Sequence, residues 1–143
     1  MAANETTTLI KNVSIFDGTS DQLIAGQDVV LAGNKIKEFL PSGGPEDAYD
    51  TVIDGGGGTL MPGLSDVHAH LAICRPPLEL ENLRTWDYIR AVTASEAERY
   101  LMRGFTTVRD VAGPVFGVKS AIDEGLVKGP RIFASGPGLA QTA

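Results

Sequence analysis

The chain has 143 residues, 43% hydrophobic and 21% charged, which is enough for a globular domain with a sizeable core. Its 12 Lys and Arg residues against 18 Asp and Glu residues give a net charge of −6. This balance argues against nucleic acid as a partner, because phosphate backbones select clustered basic residues. No stretch approaches the roughly 18–20 consecutive apolar residues that cross a bilayer, so we expect no membrane span. The N-terminal residues lack a secretory-signal pattern and Cys74 is the only cysteine, so we expect a cytoplasmic protein.

Residues 1–61 are predicted to form a small antiparallel sheet of about four strands. The segment "TTLIKNVSIF" is rich in β-branched and apolar residues and ends at a turn signal, Asp17-Gly18. The segment "QDVVLAGNKIKEFL" is typical of a hairpin, and "TVID" of a short strand. We predict that the four glycines Gly55–Gly58 form a flexible turn between two β segments. A phosphate cradle is disfavoured because no Gly-Lys-Ser/Thr follows them.

From Pro62 onward the pattern changes to strands that alternate with helices. The segments "LSDVHAHL", "FTTVRDV" and "RIFASG" are strand candidates. A helix of about four turns is predicted within residues 80–104, with Gly104 just past its C-terminus, and a shorter helix within residues 115–129. Strands separated by helices of this size favour parallel pairing, so the sequence predicts an α/β fold.

The only two histidines of the chain, His68 and His70, lie one residue apart in the first of these strand candidates. Side chains alternate along a strand, which predicts that Asp66, His68 and His70 share one face. Two imidazoles at this spacing can converge on one metal ion. The alternative is a pair of partly exposed, hydrogen-bonded histidines at the end of a strand, since zinc sites use three or four ligands.

Several motifs together resemble the amidohydrolase superfamily. "LMPGLSDVHAHL" resembles the family signature in which Pro-Gly and an Asp-x-His-x-His segment open a (β/α)8 barrel. "IKNVSIFDG", "DVVLAGNKIKEF" and "TVIDGGGGTLMPG" are similar to the strands before that barrel. "GFTTVRDVAG" resembles the second barrel strand of the imidazolonepropionase-like and Xaa-Pro-dipeptidase-like branch.

The resemblance implies an incomplete TIM-type (β/α)8 barrel, comprising its first three βα units, over residues 62–143. Residues 1–61 would form part of a small β-sandwich, as in the urease-like composite domain. His68 and His70 would bind a divalent metal, in this family zinc, with one or two ions in the full-length protein. Because ligating histidines need an oriented outer partner, Asp66 is expected to be such a partner or a structural hydrogen-bond partner, rather than a metal ligand itself. Asp110 is either a carboxylate near the barrel mouth or a capping or loop residue.

The expected function is that of the N-terminal part of a metal-dependent amidohydrolase. Such an enzyme hydrolyses amide or cyclic amide C–N bonds in small-molecule or dipeptide-like substrates with metal-activated water. No catalytic residue other than the metal ligands is assigned within the chain, and no substrate-binding residue, so we expect the 143 residues alone to be inactive. Three βα units leave an exposed strand edge, which favours association, including homo-oligomers. The alternative is a truncated, non-catalytic paralogue that acts as a binding or assembly module or has no function.

Overall fold

The computed structural model describes residues 5–75, 85–139 and 141, and it divides into two units, Met1–Pro62 and Gly63–Ala143. The strands within the described residues are β1 Thr7–Ile15, β2 Gln27–Ala32, β3 Lys35–Pro41, β4 Thr51–Leu60, β5 Leu64–Ala69, β6 Phe105–Asp110 and β7 Arg131–Ala134. The helices are α1 Trp86–Met102 and α2 Phe116–Asp123, with a 3₁₀ turn at Leu71–Ile73.

The first unit is a four-stranded sheet in the order β3-β2-β1-β4. Strands β2 and β3 form the predicted hairpin, and β1 pairs with β2 in antiparallel orientation. Strand β4, however, pairs with β1 in parallel orientation, so the sheet is mixed and the expectation of a purely antiparallel sheet is wrong. The buried apolar side chains of this unit come from β1 and β2: Leu9, Ile15, Val29 and Val30.

The glycine run of the first unit lies inside a strand, so the predicted turn is also wrong. Strand β4 continues through Gly55–Gly58 to Leu60, and its pairing with β1, interrupted after Asp54, resumes at Gly58. The ladder is irregular here, because Lys11 pairs with Asp54 and Val13 with Gly58. Gly56 and Gly57 have φ values of 61° and 77°, a conformation that glycine adopts without steric cost. The glycines therefore permit an irregular strand rather than ending it.

The second unit contains a parallel three-stranded sheet in the order β5-β6-β7. Helix α1 lies between β5 and β6 in the chain, and α2 lies between β6 and β7, so the predicted βαβαβ pattern is confirmed. The α/β class is confirmed with it. The predicted first part of α1, residues 80–84, lies outside the described residues. One cluster of buried residues forms the core: Ala69, Leu71, Ala72, Ala97, Val108, Val115, Val118 and Ile132.

Helix α1 contacts this core through small residues. Thr93 and Ala97 are buried, and the Thr93 hydroxyl donates a hydrogen bond to the Ile89 carbonyl at 2.7 Å. The helix ends next to Gly104, whose φ of 91° is the left-handed conformation expected just past a helix C-terminus. The Gly104 carbonyl accepts a hydrogen bond from Leu64 N at 2.8 Å, which joins the helix end to the start of β5. Within the described ranges, no helix combines the length and apolar character needed to cross a bilayer.

Candidate metal centre

The chemically interesting residues of the second unit lie where the parallel strands end. His68 is the penultimate residue of β5, His70 follows its final residue, and Asp110 is the final residue of β6. In parallel α/β sheets the carboxyl ends of the strands lie at one edge, and ligands bind there. The sheet topology therefore brings these three residues to the edge where a site is expected.

The His68 and His70 rings lie side by side. Their centroids are 5.2 Å apart, the ring planes are inclined by 72°, and both side chains are exposed. Two imidazoles that each place a nitrogen about 2.0–2.1 Å from one tetrahedral ion have centroids separated by roughly 5 Å. The spacing and the donor chemistry of the pair thus fit two ligands of a single divalent ion.

Asp66 does not share the face of the two histidines, so that part of the sequence prediction is wrong. Strand β5 does not alternate strictly: Asp66 pairs with Val108, and Ala69, three residues later, pairs with Asp110. Paired residues in a parallel ladder point to the same side, and Val108 is completely buried in the core. Asp66 therefore lies on the side of the helices.

The Asp66 carboxylate has two neighbours there. Its Oδ1 accepts a hydrogen bond from the backbone N–H of His68 at 2.9 Å. On α1, burial and the nearby Asp66 carboxylate raise the pKa of the Tyr100 hydroxyl above its ordinary value. Through this bond Asp66 contacts the backbone of the predicted ligand His68, not its imidazole ring.

Asp110 is completely buried and links two strand ends. Its Oδ2 accepts a hydrogen bond from Leu71 N at 2.7 Å, one residue after His70. Its Oδ1 is buried without a hydrogen-bond partner in the part of the chain that the structure describes. Burial raises the pKa of this carboxyl, while the Leu71 and Ala112 amides and His70 act in the opposite direction. Asp110 does not cap α2, whose N-cap is Val115, and its position at the carboxyl end of β6 is compatible with the expected carboxylate near the barrel mouth.

Arg109 was not singled out by the sequence. It lies on β6, its side chain is exposed, and its Nε donates a hydrogen bond to the Val67 carbonyl at 2.9 Å. A single arginine in a β-branched strand gives no sequence signal for such a role, because surface arginines are common. The contact joins β6 to the residue that precedes His68.

The described residues hold no further ligands around the histidine pair. Among them, no group of three or more His, Cys, Asp or Glu side chains is arranged to bind a metal ion. Cys74 follows the histidines in the chain, is free and exposed, and has its thiol pKa raised by partial burial. Two imidazoles, rather than a complete zinc site, are what these ranges provide.

Two of the clefts in the first unit are considered as alternative sites, and neither is lined by the histidines. One, of about 430 Å³, is lined by polar residues that include Lys11 and Glu46, which form an ion pair at 2.5 Å. The other, of about 460 Å³, is lined almost entirely by apolar side chains of the sheet. Neither contains a histidine or a cluster of metal-binding side chains, so neither competes with the strand ends as a metal site.

The chain is similar to curated proteins and solved structures over more than half of its length. Ochratoxinase from Aspergillus niger is 35% identical over 94 residues, which is 59% of this chain and 18% of the relative. The crystal structure of a Xaa-Pro dipeptidase with methionine in its active site has a TM-score of 0.82 and 29% identity. That match covers 94% of this chain and 34% of the dipeptidase. A crystal structure of an amidohydrolase has a TM-score of 0.81 and 32% identity, over 94% of this chain and 32% of the other.

The chain therefore spans about a third of the length of these solved relatives and less than a fifth of ochratoxinase. The model of the amidohydrolase family matches residues 59–142, which include β5, both histidines, Arg109 and Asp110. The resemblance drawn from the sequence motifs is confirmed by this match. The chain belongs to the amidohydrolase family.

Proposed function

We propose that the chain supplies the first two metal ligands of an enzyme that hydrolyses C–N bonds. The observation that carries the proposal is the placement of the His68 and His70 rings, 5.2 Å apart at the carboxyl end of a parallel strand. The names of related proteins support the reaction class, since they include a Xaa-Pro dipeptidase and an adenine deaminase from Chelativorans sp.. Substrates of the same kind, small molecules or dipeptide-like compounds, are proposed for the whole protein.

The fold assignment belongs to the same proposal. Residues 62–143 would be the first three βα units of a (β/α)8 barrel, and residues 1–61 part of a β-sandwich. The parallel order β5-β6-β7 with helices between the strands supports the first assignment. In a closed barrel the face that carries the histidine rings would line the interior, where side chains from several strands converge.

Within the site, His68 and His70 would hold the ion through one imidazole nitrogen each. When bound, a divalent ion such as Zn²⁺ supplies the Lewis acidity that generates a nucleophile from water near neutral pH. Asp66, through the His68 amide, and Asp110, through the Leu71 amide, hold the backbone on which the two rings are mounted. No proton-transfer role is assigned to either carboxylate, because Asp66 Oδ1 and Asp110 Oδ2 accept hydrogen bonds from backbone amides that position the ring-bearing segment.

We further propose that the 143 residues alone do not turn over substrate. A catalytic zinc site uses three protein ligands, and the described residues bring only two together. The exposed apolar residues of β7 and its neighbours, such as Phe133 at 56% exposure, support association of the isolated chain, including homo-oligomers. The free, exposed Cys74 is compatible with a reducing compartment, and we propose the cytoplasm.

Metal binding is tested by titrating the isotope-labelled chain with Zn²⁺ and following the imidazole resonances of His68 and His70. We expect both to shift together in a saturable manner, and we expect the response to disappear in the variant His68→Ala/His70→Ala. Cys74→Ser is the matched control, since it removes the only thiol near the pair and should leave the titration unchanged. Unchanged zinc stoichiometry in the double histidine variant would remove these residues from the site and favour the non-catalytic module.

A further inference from the structure

One peptide group next to the candidate ligands leaves the hydrogen-bond ladder of the sheet. Between Asp66 and Ala69, β5 advances three residues, while its partner β6 advances two, from Val108 to Asp110. This count is that of a β-bulge, in which one residue has no partner on the neighbouring strand. The Val67–His68 peptide lies within the bulge, immediately before the first histidine ring.

Both polar atoms of that peptide group are bound by charged side chains. The His68 N–H donates to Asp66 Oδ1 at 2.9 Å, and the Val67 carbonyl accepts from Arg109 Nε at 2.9 Å. A peptide outside a ladder is otherwise solvated or bound to backbone, so two side chains of opposite charge at its two ends define a specific orientation. We call the arrangement of Asp66, the Val67–His68 peptide and Arg109 the peptide clamp.

The bulge determines which way the histidines face. Asp66 and Ala69 both lie on the side of the helices, whereas strict alternation would place them on opposite sides. If β5 alternated regularly from Asp66 onward, each later side chain would point to the opposite face of the sheet. His68 and His70 would then point into the apolar core, where Ala69 and Leu71 now lie.

We propose that Arg109 is a positioning residue for the metal-binding pair: it holds the Val67 carbonyl and so keeps the His68 imidazole beside that of His70. The inference rests on the proposed function, in which the two rings bind one ion. Arg109 suits this role because its Nε donates in the plane of a rigid guanidinium, which fixes the direction of the bond. Arg109 lies on β6, so its bond to the Val67 carbonyl connects the bulge in β5 to the neighbouring strand. The clamp therefore includes a contact from outside the bulged segment.

The test compares three variants of the full chain. Arg109→Met keeps much of the side-chain length but removes the donor, and Arg109→Lys restores a cationic donor without the planar geometry. Arg131→Met is the matched control, because Arg131 is an exposed arginine at the opposite, N-terminal end of the adjacent strand β7. Two readouts are taken: the affinity for Zn²⁺ by chelator competition, and the contact between the His68 and His70 ring protons by NMR in the metal-free chain.

We expect Arg109→Met to weaken Zn²⁺ binding about tenfold, as for other outer partners of metal ligands, and to reduce the ring–ring contact. Arg109→Lys should recover part of both, and Arg131→Met should change neither. Unaltered ring contact in a folded Arg109→Met variant would overturn the proposal, as would an equal loss in Arg131→Met. If the unmodified chain binds no Zn²⁺, the proposed function fails, but the ring contact in metal-free protein still decides whether Arg109 positions His68.

Discussion

The two units contain two irregular parallel strand pairs, and they are built in opposite ways. In the first, β1 advances two residues from Lys11 to Val13 while β4 advances four. Left-handed backbone at Asn12, Gly56 and Gly57 accommodates this mismatch. In the second, neither Val67 nor His68 has a positive φ, and the bulge is held by side chains.

The two irregularities differ in whether nearby or distant residues in the chain stabilise them. Asn12 and the glycines contribute left-handed conformations available to short stretches of chain, so the backbone of the first irregularity is favoured locally, although a hydrogen bond from Asn12 to Asp54 also joins the two strands there. Arg109 and Asp110 bind the Val67 carbonyl and the Leu71 amide, and both lie about 40 positions later in the chain than these partners. The second irregularity therefore depends on tertiary contacts in addition to the local Asp66–His68 bond, and three expected effects follow from this contrast.

The largest effect is expected for Asp110→Ala in the second unit. The substitution leaves the Leu71 N–H buried without its acceptor, which should lower the free energy of unfolding by about 2–3 kcal/mol. Both described helices belong to this unit, so urea unfolding followed by ellipticity at 222 nm reports on it.

Asp123→Ala provides the control for this measurement. Asp123 is a half-exposed carboxylate at the end of α2, paired with Lys119, and its loss should cost no more than about 1 kcal/mol. Equal destabilisation by the two substitutions would show that the buried Asp110–Leu71 hydrogen bond contributes no more to the free energy of unfolding than a surface ion pair. The claim that contacts from distant residues stabilise the strand ends of the second unit would then be wrong.

A smaller effect is expected for Gly57→Ala in the first unit. The φ of 77° strains any residue with a Cβ, at a cost of about 1 kcal/mol, and an added methyl group would meet nothing within 4 Å. Strain is thus the only expected contribution. Amide exchange of β1 and β4 should accelerate, while the helical signal of the second unit stays unchanged.

Gly44→Ala is the matched substitution for Gly57→Ala. Gly44 lies in the same unit, lacks a positive φ and also has open space around an added Cβ. It should be neutral or slightly stabilising, since alanine restricts the unfolded chain. A similar loss at both glycines would indicate that left-handed backbone is not what the irregular pair requires.

The smallest effect is expected from acid, through Asp54. Its Oδ1 accepts hydrogen bonds from Gly56 N at 2.9 Å and from Asn12 Nδ2 at 2.8 Å, and these hold the carboxyl pKa below its ordinary value. A lowered pKa means that the stabilising contribution is complete above the unfolded pKa of about 3.9. It is lost as the pH falls through the folded pKa.

The measurement for Asp54 is the chemical shift of the Gly56 amide between pH 5 and 2. Its midpoint should lie below about 3.9, and Asp54→Asn should abolish the transition while keeping an oxygen acceptor. A midpoint at or above that value would mean that the carboxylate does not support the local irregularity. The pH dependence would then have to come from another group.

The same contrast explains what could be predicted from the sequence. The strands and helices of the second unit, and the proximity of His68 and His70, follow from periodicity and from their spacing of two residues. The bulge does not, because Val67 and His68 give no local signal of it, and so Asp66 was placed on the wrong face. The role of Arg109 has no local sequence signal for the same reason, since its partner, the Val67 carbonyl, lies 42 residues away.

The glycine run was misjudged in the other direction. Gly55–Gly58 carry a strong local signal for chain reversal, and the prediction followed that signal alone. Pairing with β1 overrides it, since Gly58 and the two residues after it pair again with Val13, Ser14 and Ile15 in a shifted register. The local sequence indicates unusual backbone at this place, and pairing with β1 determines that the strand continues past it.

The peptide clamp also has a consequence for the order of events during synthesis. At roughly 5–20 residues per second, the 42 residues between Val67 and Arg109 take about 2–8 seconds to produce. During that interval the segment with both histidines has no Arg109 and no β6 to select its register. If Arg109 positions His68 as proposed, a nascent chain would acquire this arrangement of its two imidazoles only once β6 has emerged.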